Sequence, residues 1–177
     1  MISSQDRELR IVQAGLQDLD RFIDMHEDGR DWLETLGRTP LPRGIHRDSS
    51  DYYRDSIFSN EVYLAFSGEE VAGCFRLVSS DEIVWPEAGE DALYLHSLLV
   101  VRKFRGLGFG RQMLKWCEVH TCSAGKTFLR LDCFANNEVL RNYYEEAGYS
   151  CCGEVDAPYP FATLRLVRYE KRLRETS

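Results

Sequence analysis

The chain has 177 residues, 44% of them apolar and 29% charged, and a formal charge of −7. That length suits one domain over 1–177 with a core of its own. The acidic balance argues against a nucleic-acid surface, which depends on Lys and Arg neutralising phosphates.

The polar start MISSQDRELR has no apolar core of a secretory signal. No apolar run is long enough to span a bilayer. The six cysteines include no C-x-x-C pair. Reduced thiols in a cytoplasmic protein, with no metal and no membrane partner, are therefore expected.

LRIVQA (9–14) reads as a first strand. Residues 16–37 carry Leu19, Phe22, Ile23 and Met25 near helical spacing, then Trp32, Leu33 and Leu36, and predict one or two helices ended by Gly37. RTPLPRGIHR (38–47) reads as a loop, and 49–58 as a short helix behind a Ser/Asp cap signal. EVYLAF and VAGCFRLVSS, joined by SGEE, predict a hairpin. Residues 81–91 form an acidic loop. ALYLHSLLVV (92–101) predicts a strand buried on both faces.

Met113, Leu114, Cys117, Thr121 and Ala124 mark a helix ended by Gly125. FLRLDCF (128–134) reads as a strand. Residues 136–149 predict a helix with Val139, Leu140, Tyr143, Tyr144 and Ala147 on its apolar stripe, an Asn cap and Gly148 behind it. Two strands close the chain, with DAPYPF (156–161) as a loop between them. Strands and helices alternate through the middle, which predicts an α/β fold.

The stretch VVRKFRGLGFGRQML (100–114) puts three glycines between a strand and a helix. A Walker loop needs a glycine five residues before Gly125, and His120 stands there. A dinucleotide fingerprint needs a third glycine where Arg111 stands. R-x-x-G-x-G, made by Arg105, Gly108 and Gly110, fits an anion nest at a helix N-terminus, because glycines let backbone N–H groups approach a pyrophosphate. A glycine-rich turn without a ligand remains the other reading.

This segment resembles the acetyl-CoA loop of the GNAT N-acetyltransferase superfamily. The resemblance extends to LYLHSLLV before it and to LRLDCFANNEVLRNYYEEAGY after it, where Asn137, Tyr144 and Gly148 keep the family's spacing. It covers about 92–154 and implies a mixed, mostly antiparallel sheet with splayed parallel middle strands and helices on both faces. It implies an enzyme that moves an acetyl group from acetyl-CoA directly to an amine.

By resemblance, the amides of Gly106, Leu107, Gly108, Phe109, Gly110 and Arg111 hold the pyrophosphate, with charge from Arg105 and Arg111. The backbone of Leu98, Leu99 and Val100 meets the pantetheine arm like an added strand. An N–H near Leu99 stabilises the thioester oxygen. Asn137 contacts the cofactor, or is a plain helix cap. Tyr144 protonates the leaving thiolate, or is core.

His96 is one candidate for removing the amine proton, and by alternation it shares a face with Tyr94 and Leu98. Asp132 is the other, with Glu82 a distant third; water chains that make a base unnecessary are the remaining route. The acceptor is open. Arg38, Arg43 and Arg47 suit a carboxylate. Asp81, Glu82, Glu87, Glu90 and Asp91 suit an amine. Together they suggest a small amino acid-like acceptor. A protein acceptor, a longer acyl group or a non-catalytic acyl-CoA-binding regulator are the other readings, in a monomer or homodimer.

Overall fold

The computed structural model describes residues 8–87, 89 and 91–173; Glu90 and most of the polar N-terminal stretch lie outside them. Seven strands form one sheet in the order β1-β2-β3-β4-β5-β7-β6. They are β1 Arg10–Gln13, β2 Val62–Ser67, β3 Glu70–Val78, β4 Ala92–Val100, β5 Phe128–Phe134, β6 Ser150–Tyr159 and β7 Ala162–Arg172. Five α-helices accompany them among the described residues: α1 Leu19–Thr35, α2 Ile45–Asp48, α3 Ser50–Phe58, α4 Phe109–Ser123 and α5 Glu138–Glu146. β1 with β2, β2 with β3, β5 with β7 and β6 with β7 pair antiparallel, and β4 with β5 pairs in parallel.

The chain divides into two compact units. One comprises residues up to Leu77 with Ser97–Lys115, the other Val78–His96 with Trp116 onward.

In the first unit, α1 buries Leu19, Phe22, Ile23, His26 and Arg30, a stripe at helical spacing. Its apolar members join Tyr53, Ile57, Val62, Leu64 and Cys74 in one core, against which Leu99 packs. The stripe ends in polar residues, and each is satisfied. Arg30 donates to Glu34, Asp31 and the carbonyl of Leu41. Gly37 closes the helix at a φ of +63°, as expected.

The expected loop at 38–47 is shorter than the sequence suggested, because α2 begins at Ile45. Its first amides have a partner from α1: the Glu27 carboxylate accepts from the N–H groups of Gly44, His46 and Arg47. That is a helix cap supplied from outside the local sequence.

In the second unit, β4 and β5 pair in parallel from Ala92↔Phe128 to Leu95↔Leu131. β5, β7 and β6 continue as an antiparallel meander with a bulge between Cys151 and Glu154. β6 runs to Tyr159, so DAPY is strand rather than loop; Asp156, Ala157, Pro158 and Tyr159 pair with Arg165, Leu164, Thr163 and Ala162. On α5 only Tyr144 is buried. Val139, expected on the apolar stripe, is 60% exposed, because the helix starts at Glu138 and its first turn points to solvent.

β4 is also less buried than its composition suggested. Ala92–Leu95 are buried, whereas the residues from His96 to Val100 are half-buried.

Candidate active site

Within the first unit, the loop after β4 has the backbone its glycines predicted. Gly106 and Gly108 take φ of +79° and +82°, a left-handed region in which side chains are strained. No atom lies within 4 Å of where a Cβ would stand on either, so conformation rather than crowding requires glycine. The helical ladder of α4 starts with Gln112 N–H donating to Gly108 O at 3.2 Å. The amides of Phe109 and Gly110 therefore stand ahead of it, at the positive end of a 15-residue helix.

Arg105 lies back over the Trp32 ring, 3.7 Å from its centroid. Its Nε donates to Val100 O at 3.4 Å, and one terminal nitrogen is buried without a hydrogen bond. Burial, with Arg102 nearby, holds its pKa below the usual guanidinium value. A cavity of about 270 Å³ adjoins it, lined by Asp28, Gly29, Leu99, Val100, Arg102 and Arg105 among others. Three of the residues assigned by resemblance, Leu99, Val100 and Arg105, thus meet at one cavity. Leu98 and the residues from Gly106 onward do not line it.

Two features of this unit were not anticipated. Ser97 adopts a φ of +57° inside β4. That left-handed residue interrupts the strand's alternation, so the expected shared face of His96 with Leu98 does not follow. Gly73 on β3 is the second: a Cβ there would stand 2.4 Å from the backbone oxygen of Leu99.

Two of the three loop arginines are already partnered. Arg43 pairs with Glu34 at 2.6 Å and Arg47 with Asp24 at 2.7 Å.

Within the second unit, Tyr144 is 4% exposed and packs edge-on to Tyr149 and tilted to Tyr169. Burial pushes its phenol well above the usual range, reinforced by charge at Cys133, Tyr143 and Asp132, so it keeps its proton. Asn137 is the N-cap of α5: its Oδ1 accepts from Leu140 N–H at 3.2 Å, and Asn136 does not serve.

His96 and Asp132 are brought together, with Asp81 on the far side of the ring. His96 Nε2 is 3.3 Å from Asp81 Oδ2 and Nδ1 is 3.8 Å from Asp132 Oδ1. Burial, opposed by His96 and reinforced by Asp81, pushes the Asp132 carboxyl up to about 6. Asp81 is held low despite its burial, by His96 and by the N–H groups of Val84 and Ile83. In sequence Asp81 is one more residue of an acidic loop; its only signal is a turn three residues long that ends on the buried Val84.

The comparisons with known proteins agree with this architecture. The model of the acetyltransferase (GNAT) family matches residues 26–149. An uncharacterised N-acetyltransferase, YesJ, of Bacillus subtilis is 35% identical over 128 residues, 70% of this chain and 71% of that one. A GNAT-family acetyltransferase structure from Listeria monocytogenes superposes with a TM-score of 0.77 at 25% identity, over 93% of this chain and 95% of that one. The fold is shared at 16% identity by a Salmonella typhimurium acetyltransferase that modifies the N-terminal serine of ribosomal protein L7/L12, with a TM-score of 0.71 over 98% of both chains. The chain belongs to the acetyltransferase (GNAT) family. No helix among the described residues is long and apolar enough to cross a membrane.

Proposed function

We propose that this protein transfers the acetyl group of acetyl-CoA directly to the amine of a small molecule, as a single domain. The observation that carries the reading is the left-handed pair Gly106 and Gly108 ahead of α4 in a chain of this family. The amides from Gly106 to Arg111 take the pyrophosphate, Arg105 supplies charge beside them, and Leu98 to Val100 receive the pantetheine arm. The Leu99 N–H stabilises the oxygen of the tetrahedral intermediate. Tyr144 returns a proton to the departing thiolate; burial keeps its phenol protonated, so the proton is there to give. Asn137 serves the cofactor from the start of α5. His96 and Asp132 are the groups that free the amine of its proton.

The test is thiol release from acetyl-CoA with a panel of small amines, amino acids and peptide N-termini. Turnover on small amines is expected. Turnover confined to peptides moves the acceptor to protein, and tight acetyl-CoA binding without turnover on any amine points to a regulator.

A further inference from the structure

His96 stands between two carboxylates that flank opposite nitrogens of its ring. The oxygens that face it, Asp81 Oδ2 and Asp132 Oδ1, are fully buried, and no other group gives either a hydrogen bond. A neutral imidazole has one N–H and serves one of them; an imidazolium serves both. The cluster is thus complementary to the ring after it has taken up a proton. One ligand atom from each of the three residues lies within 4.8 Å of the others, close enough to hold a metal ion as well, but carboxylates at 3.3 and 3.8 Å from opposite ring nitrogens follow the order of a hydrogen-bond chain.

With both nitrogens facing carboxylates, the ring has none left for an incoming amine. Asp132 has an oxygen to offer: Oδ1 is the buried one, and the side chain keeps 14% exposure. Asp81 is fixed from behind, because its Oδ1 accepts from Val84 N–H at 3.0 Å.

We propose that Asp132, His96 and Asp81 form a proton relay for the acetyl transfer described above, with Asp81 as the positioning residue. The inference rests on that reading. The acceptor's ammonium group gives one proton to Asp132, and the resulting neutral amine attacks the thioester carbon with its lone pair. The C–N bond forms, the C–S bond breaks, Tyr144 protonates the departing thiolate, and the second proton shed by the new amide nitrogen restores the Tyr144 phenol. Asp132 passes the proton to His96 Nδ1 and returns to the carboxylate. Asp81 accepts from Nε2–H throughout, which keeps Nδ1 free to receive. The imidazolium gives its extra proton to water as product leaves. The Asp132–His96 step requires the two side chains to close by about an ångström, or one bridging water.

A carboxyl raised to about 6 is suited to this exchange near neutral pH. The other charged or titratable groups about Asp132 are Arg168 opposite it on β7, Tyr144 on α5 and Cys133 beside it. Arg130, two residues back, is tied to Glu170 and to the Tyr94 hydroxyl.

Asp81→Asn tests the relay. The amide oxygen keeps the Val84 N–H, which turns the NH2 toward His96 Nε2. Nε2 must then accept, and Nδ1 carries the proton. Nitrogen-15 NMR of the neutral ring should show protonation at Nε2 in the wild type and at Nδ1 in the variant. With an active amine, kcat should fall by about 10²-fold near pH 7, and the defect should shrink at high pH, where the amine is already neutral. The KM for acetyl-CoA should not move. Asp132→Asn leaves the Asp81 turn untouched and should show the same pH-dependent defect.

One tautomer in both proteins, or defects constant with pH, overturns the relay. So does wild-type turnover that stops with a chelator and returns with a divalent metal. Wild-type protein that releases no thiol with any amine removes the acetyl-transfer reading instead, and the tautomer measurement still decides the hydrogen-bond chain.

Discussion

His26 Nε2 lies 3.2 Å from the carbonyl oxygen of Ser97, 71 residues further along the chain. The contact ties the buried face of α1 to the one left-handed non-glycine residue found in a described strand. The other ring nitrogen lies 3.0 Å from Phe22 O and 3.7 Å from Cys74 Sγ. Burial pushes the Cys74 thiol up, so it remains an S–H donor. A neutral His26 that donates to Ser97 O can therefore accept from Cys74.

Burial, with His46 and Arg76 nearby, lowers His26 to about 4. Above pH 6.5 the ring is neutral folded or unfolded. As pH falls from 6.5 toward 4, the unfolded chain takes up a proton that the folded one refuses, and stability is lost, by at most about 3 kcal/mol. Urea unfolding across that range should show the loss in the wild type. His26→Gln, which keeps one donor for Ser97 O, should remove this part of the slope. Parallel slopes in the two proteins would mean that His26 is protonated in the fold.

Gly108→Val should leave a folded protein, since a Cβ there meets nothing within 4 Å and the strain is confined to a surface loop. The φ of +82° cannot be kept by a β-branched residue without a cost of roughly 1–3 kcal/mol. The loop should therefore change shape. Saturating acetyl-CoA should raise the Tm of the wild type and not that of the variant. A variant that unfolds outright would show the turn to be structural, and equal wild-type shifts with acetyl-CoA, NAD and ATP would remove the pyrophosphate assignment.

Gly73 and Gly29 both approach Leu99, and they should respond oppositely to alanine. At Gly73 the new methyl group would stand 2.4 Å from the Leu99 backbone oxygen, so two strands must part. A loss of about 1–3 kcal/mol and a weaker acetyl-CoA response are expected. At Gly29 the nearest atom is Leu99 Cδ1 at 2.7 Å, the end of a flexible side chain, and α1 gains up to about 1 kcal/mol of helix propensity. Thermal melts of Gly73→Ala and Gly29→Ala with equal losses would show that the two contacts do not differ in kind.

Tyr144→Phe removes one hydroxyl and little volume from the packing with Tyr149 and Tyr169. If the phenol is the acid, kcat should fall about 10²–10⁴-fold with acetyl-CoA affinity nearly unchanged. A kcat within a few-fold of wild type would leave Tyr144 as core alone.

The glycine loop was legible in the sequence because left-handed backbone selects glycine directly, and Gly106, Gly108, Gly37 and Gly148 all bear that mark. The strand and helix order was legible from periodicity. Ser97 was not, because serine does not announce a positive φ; the turn is held by His26, whose place on the apolar stripe beside Phe22 and Ile23 was the available signal. Gly73 was equally hidden, since its reason is an oxygen 26 residues away. Asp81 was lost among like charges, and Arg43 and Arg47 were read as suited to a substrate carboxylate because their acids lie on α1.

The carboxylate of Glu27 grips the 44–47 segment through main-chain amides, and these are indifferent to the side chains they carry. The main-chain grip at 46 and 47 therefore survives any residue but proline, although His46 also bonds the Tyr53 hydroxyl and Arg47 pairs with Asp24. New side-chain chemistry can be written onto this stretch without first inventing a way to hold it.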